Sequence, residues 1–394
     1  MTGFFTSPRI TWGPGAIEQL GALDAHRVFL VLDPAVARLP RVRHLTEEVE
    51  KTGATIEHSQ DVEIEPTVGS VARLGGALRT FHPDWIVAVG GGSTIDSAKA
   101  AWVNSRHPEW DLAHLTPLVE FELRPATRFV AVPTTSGSGS EASWQAHLWS
   151  SDGTCIELAS RELIPDWALL DPELPLSLSR AQTADGVADL LAHAIEAWTS
   201  EWANPFSDAF AHAATDLAVT RLPALSRRGD DVELRADVHY AATMAGLAFS
   251  NASTGNAHAL AHALHPTTGL PHGRLVGIVL PYIIDFNGPV ARDRHVEIAS
   301  VIGSAPGSYR GGLGSRVREL LGSLGIPATL EAAGIGRDRV AADLPKIVQR
   351  AMESSSARAN PRVASAPEWA ELVHLVATGS SAGPVAVARN GSVT

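Results

Sequence analysis

Cysteine is almost absent. The 394-residue chain has one, Cys155, so no intrachain disulfide can form and no cysteine-based zinc cluster can be built. Any metal site must therefore use histidine and carboxylate, and a reduced, cytoplasmic setting is expected. Lysine is nearly as scarce, at Lys51, Lys99 and Lys346. The formal net charge of −12 excludes a basic nucleic-acid surface and gives little attraction to anionic membranes. No apolar run approaches the roughly 18 residues that span a bilayer. The opening MTGFFTSPRITWG has no basic start followed by a long apolar stretch, so no secretory signal is read there.

What is present is ordinary globular material, 45% hydrophobic and 19% charged. The length exceeds what one core usually supports, so two domains are expected. Apolar runs at 27–33, 54–60, 84–90, 128–133 and 166–172 read as short strands. They alternate with helical periodicity at 38–53 and 67–80, which predicts βαβ units and a parallel sheet covered on both faces. From 181 onward the texture is helical: 181–200, 206–224, 231–249, 256–265 and several stretches between 290 and 377. Breaks are expected at Asn204-Pro205, from Pro266 to Pro271, and around 303–313. The expected architecture is an α/β nucleotide-binding domain over 1–178 and an all-α domain over 179–394, with 379–394 a loose tail.

Two loops carry candidate ligand chemistry. Gly90-Gly91-Gly92-Ser93 closes a predicted strand and opens a helix. Glycine admits a ligand close to the backbone, and a helix start offers free amides to phosphate. The spacing is neither the usual dinucleotide fingerprint nor a Walker loop, and alone such a triplet is a tight turn more often than a ligand site. Thr134-Thr135-Ser136-Gly137-Ser138-Gly139-Ser140 also follows a strand and is dense in hydroxyls. Two such loops at the carboxyl ends of parallel strands point to one crevice for a phosphate-bearing cofactor. Asp33, ending the first of these strands, could bond a ribose, or be no more than an acidic turn before Pro34.

Histidines mark the second half. Asn251 to Gly273 holds four of the chain's sixteen: His258, His262, His265 and His272. Asp189 and His193, four apart in an apolar helical stretch, share a face one turn apart. That pair could be structural or could bind a metal. With His258 and His272 it makes an Asp-His-His-His set suited to Zn²⁺ or Fe²⁺. His262, one turn beyond His258, is the candidate proton carrier; His265, before Pro266, reads as capping or solvated.

These residues lie in motifs that resemble the iron-containing (group III) alcohol dehydrogenases: GGGSTIDSAK (90–99), VPTTSGSGSEAS (132–143), DPEL (171–174), DLLAHAIEAW (189–198), AGLAFSNASTGNAHALAH (245–262), LPHG (270–273) and NPR (360–362). The resemblance runs from about residue 4 to about 378. It implies a metal and a nicotinamide between the two domains, the fold shared with dehydroquinate synthase, and a homodimer. Carried over by position, it makes Asp189, His193, His258 and His272 the metal ligands and His262 the extra active-site histidine. Gly91, Gly92, Ser93 and Asp96 fall on the pyrophosphate loop, and Thr134, Thr135 and Ser138 on the second cofactor loop. Asp33 falls where a carboxylate favours NAD(H) by repelling the 2′-phosphate of NADP(H). One departure stands out: the family usually has a lysine ten residues before the position of Pro165, and here that position is Cys155.

The implied chemistry is reversible hydride transfer between a nicotinamide and a small aldehyde, with Fe²⁺ or Zn²⁺ as Lewis acid and His262 relaying a proton. The texture around 270–282 and Trp144, Trp149 and Trp167 is most similar to the branch reducing phosphonoacetaldehyde to 2-hydroxyethylphosphonate. Such an anion would need a cation, for which Arg161, Arg274 or Arg362 are candidates. Alternatives are a short-chain alcohol dehydrogenase or semialdehyde reductase, a dehydroquinate-synthase-type lyase, which scarce lysine disfavours, and a non-catalytic binder, which the intact ligand set disfavours.

Overall fold

Period-two alternation within each apolar strand forces side chains to opposite faces, so each strand must be covered twice. The computed structural model, which describes residues 5–381 apart from 116–118, 125, 226 and 304–311, shows both covers. Eight strands are described: β1 (Arg9–Trp12), β2 (Arg27–Leu32), β3 (Thr55–Ser59), β4 (Trp85–Gly90), β5 (Arg128–Pro133), β6 (Gln145–Trp149), β7 (Cys155–Ala159) and β8 (Trp167–Leu170). Six form a sheet in the order β1-β8-β5-β4-β2-β3, and every pairing in it is parallel. Phe29, Val31, Ile86, Ala88, Phe129 and Ala131 face α2 (Val68–Phe81) and α3 (Gly92–Arg106). Val28, Leu30, Val87, Val89, Val130 and Val132 face α1 (Pro40–Glu50) and the turn holding Ile17 and Leu20.

Nine helices follow: α4 (Arg180–Thr199), α5 (Pro205–Leu225), α6 (Val232–Ala252), α7 (Asn256–Thr268), α8 (His272–Asn287), α9 (Arg292–Val301), α10 (Leu313–Ser323), α11 (Arg337–Glu353) and α12 (Ala366–Thr378) are described. They bury one large core of their own. The expected α/β half with a parallel sheet and the expected helical half are both formed. The last sheet strand ends at Leu170, and α4 starts behind Ser179, whose hydroxyl accepts from Gln182 N at 3.2 Å.

Four features depart from the sequence expectation. β1 joins the sheet edge beside β8, although its four residues, RITW, form no apolar run. β6 and β7 form an antiparallel hairpin with Cys155 opposite Trp149; their short mixed patterns carry no strong strand signal. α7 runs through Pro266 to Thr268, because the proline removes one amide bond that a packed helix can forgo. α8, which follows the expected break and lies in a stretch given no element from sequence, is a 16-residue helix that tolerates Pro281. Its run LVGIVLPYII is apolar on every side, so it shows burial rather than helical period. From residue 382 on, the expected loose tail lies outside the described residues.

Candidate functional site

The parallel topology brings three strand ends together. Asp33 follows β2 and donates its amide to Val89 O at 2.9 Å; Thr134 donates its amide to Gly90 O at 2.9 Å. The chain reverses its direction of travel across the sheet at β2 and β4, where such folds open a crevice. Gly91 caps α3, and the first glycine loop lies against the second. A Cβ on Gly91 would come 3.2 Å from Thr135, and one on Gly92 would come 2.8 Å from both Cβ and Oγ of Ser138. Only backbone fits at Gly92, and Gly91 is tight.

The loop residues differ in what they leave open. Ser93 spends its hydroxyl on the carbonyl of Ile64. Asp96 accepts the amide of His147 with Oδ2 at 3.0 Å, so it pins β6, while its Oδ1 is buried without a partner. Thr134 Oγ1 is likewise buried and unpartnered, and Ser138 Oγ accepts from Ser140 N at 3.3 Å. Asp33 Oδ1 accepts the amide of Ala35 at 2.8 Å at the edge of the crevice. Lys99, not singled out from sequence, sets the second loop's shape. It is wholly buried and donates to the carbonyls of Ser140 and Ser143 at 2.7 Å and of Gln145 at 3.0 Å. Burial pulls its ammonium down to about 8.

The second loop also seats on the helical half. A Cβ on Gly137 would stand 2.7 Å from Gly186 Cα in α4, and one on Gly139 would stand 2.5 Å from Gly246 Cα in α6. Gly139 sits at φ +64°, which glycine adopts without steric cost. Around these seats Ser136 Oγ pairs with His239 Nδ1 at 2.9 Å and Thr243 donates to Glu141 at 2.6 Å.

Beneath the crevice lie the histidines. Ligand atoms of Asp189, His258 and His272 all fall within 4.8 Å of one another. Both His258 Nε2 and His272 Nε2 stand 3.5 Å from Asp189 Oδ1. His193 falls outside that triplet, but its Nδ1 is 3.8 Å from the same oxygen and its ring stacks between those of His258 and Phe249. Asp189 Oδ1, His193 Nδ1 and His258 Nε2 are buried with no hydrogen-bond partner. Orphaned buried atoms are costly, and here they converge from separate turns and helices. A divalent ion accepts that donor set and would partner all of them.

Charge follows this geometry. Burial opposes the Asp189 carboxylate, but His193, His272 and His258 outweigh it and hold its carboxyl well below the usual range. His193 is pushed down to about 3 by burial, against the pull of Asp189. Burial disfavours the imidazolium at His258 as well, yet Glu196 and Asp189 overcome it and raise it to about 9.

Glu196 is the main residue the sequence reading passed over. One oxygen takes the amide of Ala257 at 2.6 Å at the start of α7, and the other meets His258 Nδ1 at 2.5 Å. It thereby fixes which His258 nitrogen faces Asp189. A signal was present: Glu196 lies seven after Asp189, on the same helical face. Asn360, in the NPR motif, braces the same turn by accepting from Asn256 N at 3.1 Å.

His262 stands beside the triplet, its ring stacked 5.0 Å from that of His272. Its Nδ1 lies 3.8 Å from Glu157 Oε1, and the His147 ring is 5.0 Å away. Burial pushes the imidazole of His262 below its ordinary range; Glu157 stays ionised despite burial, held down by His262, His147 and Ser355. His147 and Glu157 reach the site from the unforeseen hairpin. Cys155 opens β7, and burial raises its thiol well above the usual range. His265 is capping rather than solvated: Nδ1 pairs with Leu270 O at 3.1 Å and the ring lies 4.6 Å from Trp149. Of the arginines considered as anion ligands, Arg274 grips Asp185 at 2.9 and 3.3 Å and Arg362 grips Glu368 at 2.6 Å, while Arg161 is exposed.

Comparison with known proteins gives concordant matches. Residues 7–172 match the family model "Iron-containing alcohol dehydrogenase", and residues 183–376 match "Fe-containing alcohol dehydrogenase family, C-terminal". The NADPH-dependent butanol dehydrogenase of Clostridium saccharobutylicum is 34% identical over 384 residues, covering 95% of this chain and 98% of the relative. The 1-propanol dehydrogenase of Citrobacter freundii is 32% identical over 381 residues, covering 95% and 99%. The solved iron-containing alcohol dehydrogenase of Thermococcus thioreducens superposes with a TM-score of 0.87 at 31% identity, covering 96% of this chain and all of that one.

Proposed function

The chain belongs to the iron-containing alcohol dehydrogenase family, metal- and nicotinamide-dependent oxidoreductases of alcohols and aldehydes, and from that premise we propose that it interconverts short-chain neutral aldehydes and primary alcohols with NAD(H). The observation carrying this reading is the set of orphaned atoms of Asp189, His193 and His258, with His272 beside them, directly below the glycine crevice. Asp189, His193, His258 and His272 would hold the ion, and Gly91, Gly92, Thr134, Thr135 and Ser138 the cofactor phosphates and amide. A bound Fe²⁺ or Zn²⁺ supplies Lewis acidity toward a carbonyl oxygen, and a bound nicotinamide supplies the hydride. The remaining work falls to the chain. Glu196 orients His258, Phe249 and Trp149 exclude water, and His262, a neutral imidazole beside Glu157, relays the proton that the product oxygen needs.

Two finer points rest on single groups. Asp33 presents its carboxylate at the crevice edge, where it would repel a 2′-phosphate, so NADH is favoured. That preference is the chain's own reading, since the butanol dehydrogenase relative is named for NADPH. For the substrate, a phosphonate would have to compete with Asp185 for Arg274 and with Glu368 for Arg362. A neutral chain faces no such competition, in keeping with the butanol and 1-propanol of the relatives' names.

The test is metal analysis of protein purified without oxygen, then NADH oxidation with propanal, butanal and phosphonoacetaldehyde. One metal per chain and a kcat/KM for butanal at least about tenfold above that for phosphonoacetaldehyde is the expected result, one decade being 1.4 kcal/mol of discrimination. The reverse order would overturn the neutral-substrate reading. Turnover without NADH consumption would point to a lyase.

A further inference from the structure

A second cavity, of about 450 Å³, opens in the helical half among α4, α5, α6 and α10. Its chemistry is unlike that of the rest of this acidic chain. Arg180, Arg227 and Arg235 line it, and no Asp or Glu does so among the described residues. Its walls include Val187, Leu222 and Leu225.

Arg235 is the informative member. It is 4% exposed, yet its guanidinium meets no carboxylate in the contacts described. Nε donates to Gly229 O at 2.6 Å, Nη1 to the Thr183 hydroxyl at 2.8 Å and Nη2 to Leu178 O at 3.3 Å. Five N–H groups serve three neutral acceptors, so the charge is oriented without being neutralised. Two neighbouring acids are paired with other arginines, Asp231 with Arg228 at 3.0 Å and Asp237 with Arg221 at 2.6 Å. Burial alone lowers the Arg235 guanidinium from its ordinary value. A buried cation normally has a counter-charge, and the first turn of α4 adds positive potential at the same place.

We propose that this cavity binds a small organic anion, a carboxylate with a short apolar body, its head between Arg235 and Arg227 and its tail along Val187, Leu222 and Leu225. A planar guanidinium matches a carboxylate in a two-point contact. The apolar wall favours a chain over a fully hydrated inorganic ion, and the volume suits a small ligand. The site is separate from the crevice, although α4 carries its lining residues on its first turns and Asp189 and His193 further on.

Calorimetric titration of the intact protein with acetate, butanoate, hexanoate and inorganic phosphate tests this. The expected result is one saturable site per chain, binding tightening about fourfold per methylene from butanoate to hexanoate, and phosphate weaker than hexanoate. Arg227→Ala, an exposed change, should weaken hexanoate about tenfold. Gly322→Leu places a side chain in the cavity where a Cβ meets nothing within 4 Å, so it should abolish binding while leaving the melting temperature and NADH oxidation unchanged. Three outcomes would each overturn the proposal: no saturable binding, phosphate as tight as hexanoate, or binding indifferent to both variants. Displacement of hexanoate by NADH would overturn it too, by placing the anion in the crevice.

Discussion

The two halves build their parts of the site from different materials. The sheet half offers backbone: Gly91 and Gly92 create space by lacking a Cβ, and the second loop lies 3.2 and 2.8 Å from where one would stand. The helical half offers side chains: Asp189, His258 and His272 project from α4, α7 and α8 and converge within 4.8 Å, with His193 Nδ1 3.8 Å from the same Asp189 oxygen. A backbone site tolerates no addition, whereas a side-chain site tolerates no removal. That difference predicts which substitutions matter and what each should change first.

Removal of a ligand has the largest expected effect. His272→Ala should abolish metal retention and lower turnover about a thousandfold, several kcal/mol of Lewis-acid stabilisation being lost. Metal analysis beside kcat checks this, and a variant keeping both would sink the ligand assignment. Addition in the cradle should act differently. Gly92→Ala sets a methyl 2.8 Å from Ser138 and should raise KM for NADH by about ten- to a hundredfold, the cost of about 1–3 kcal/mol of overpacking, with metal content intact. If metal is lost as well, the two materials are not separable. Glu196→Gln keeps the volume but weakens the brace on His258, so chelator competition should show metal affinity down about tenfold or more. Unchanged affinity would confine Glu196 to capping α7. Smallest is Asp33→Ser, which should move the NADH-to-NADPH preference by about tenfold or less, the worth of one exposed charge near a phosphate, read as the ratio of kcat/KM values. An unmoved ratio would remove Asp33 from cofactor choice.

The same difference governs how much the sequence discloses. The glycine triplet Gly90-Gly91-Gly92 discloses a cradle only together with the second loop, since each follows an apolar strand and both open at the same sheet edge. Asp189 and His193 disclose a shared face through their spacing. Five of the six sheet strands and most helices are legible through their periods, while β1 is too short to stand out and α8 escapes because its residues are apolar on every side. The hairpin of β6 and β7 escapes because each strand is only five residues long and offers only two or three apolar side chains on its buried face, although His147 and Glu157 keep the alternation and are the residues it delivers to His262. Glu196 shares a helical face with Asp189, but what it braces lies 61 residues on, and Lys99 carries no local pattern, its acceptors lying 41 or more residues away. Contacts of that range belong to tertiary structure, and a linear reading sees only the residue types.

The glycine-on-glycine seats of the second loop have a thermodynamic consequence. Gly137 against Gly186 and Gly139 against Gly246 press main chain onto main chain across the two halves, with no side chain between to act as a cushion. Neither half can expand without unseating a loop that Lys99 anchors inside the first core. Melting should therefore be a single cooperative event for the whole chain, with neither half surviving as a stable fragment after the other is lost.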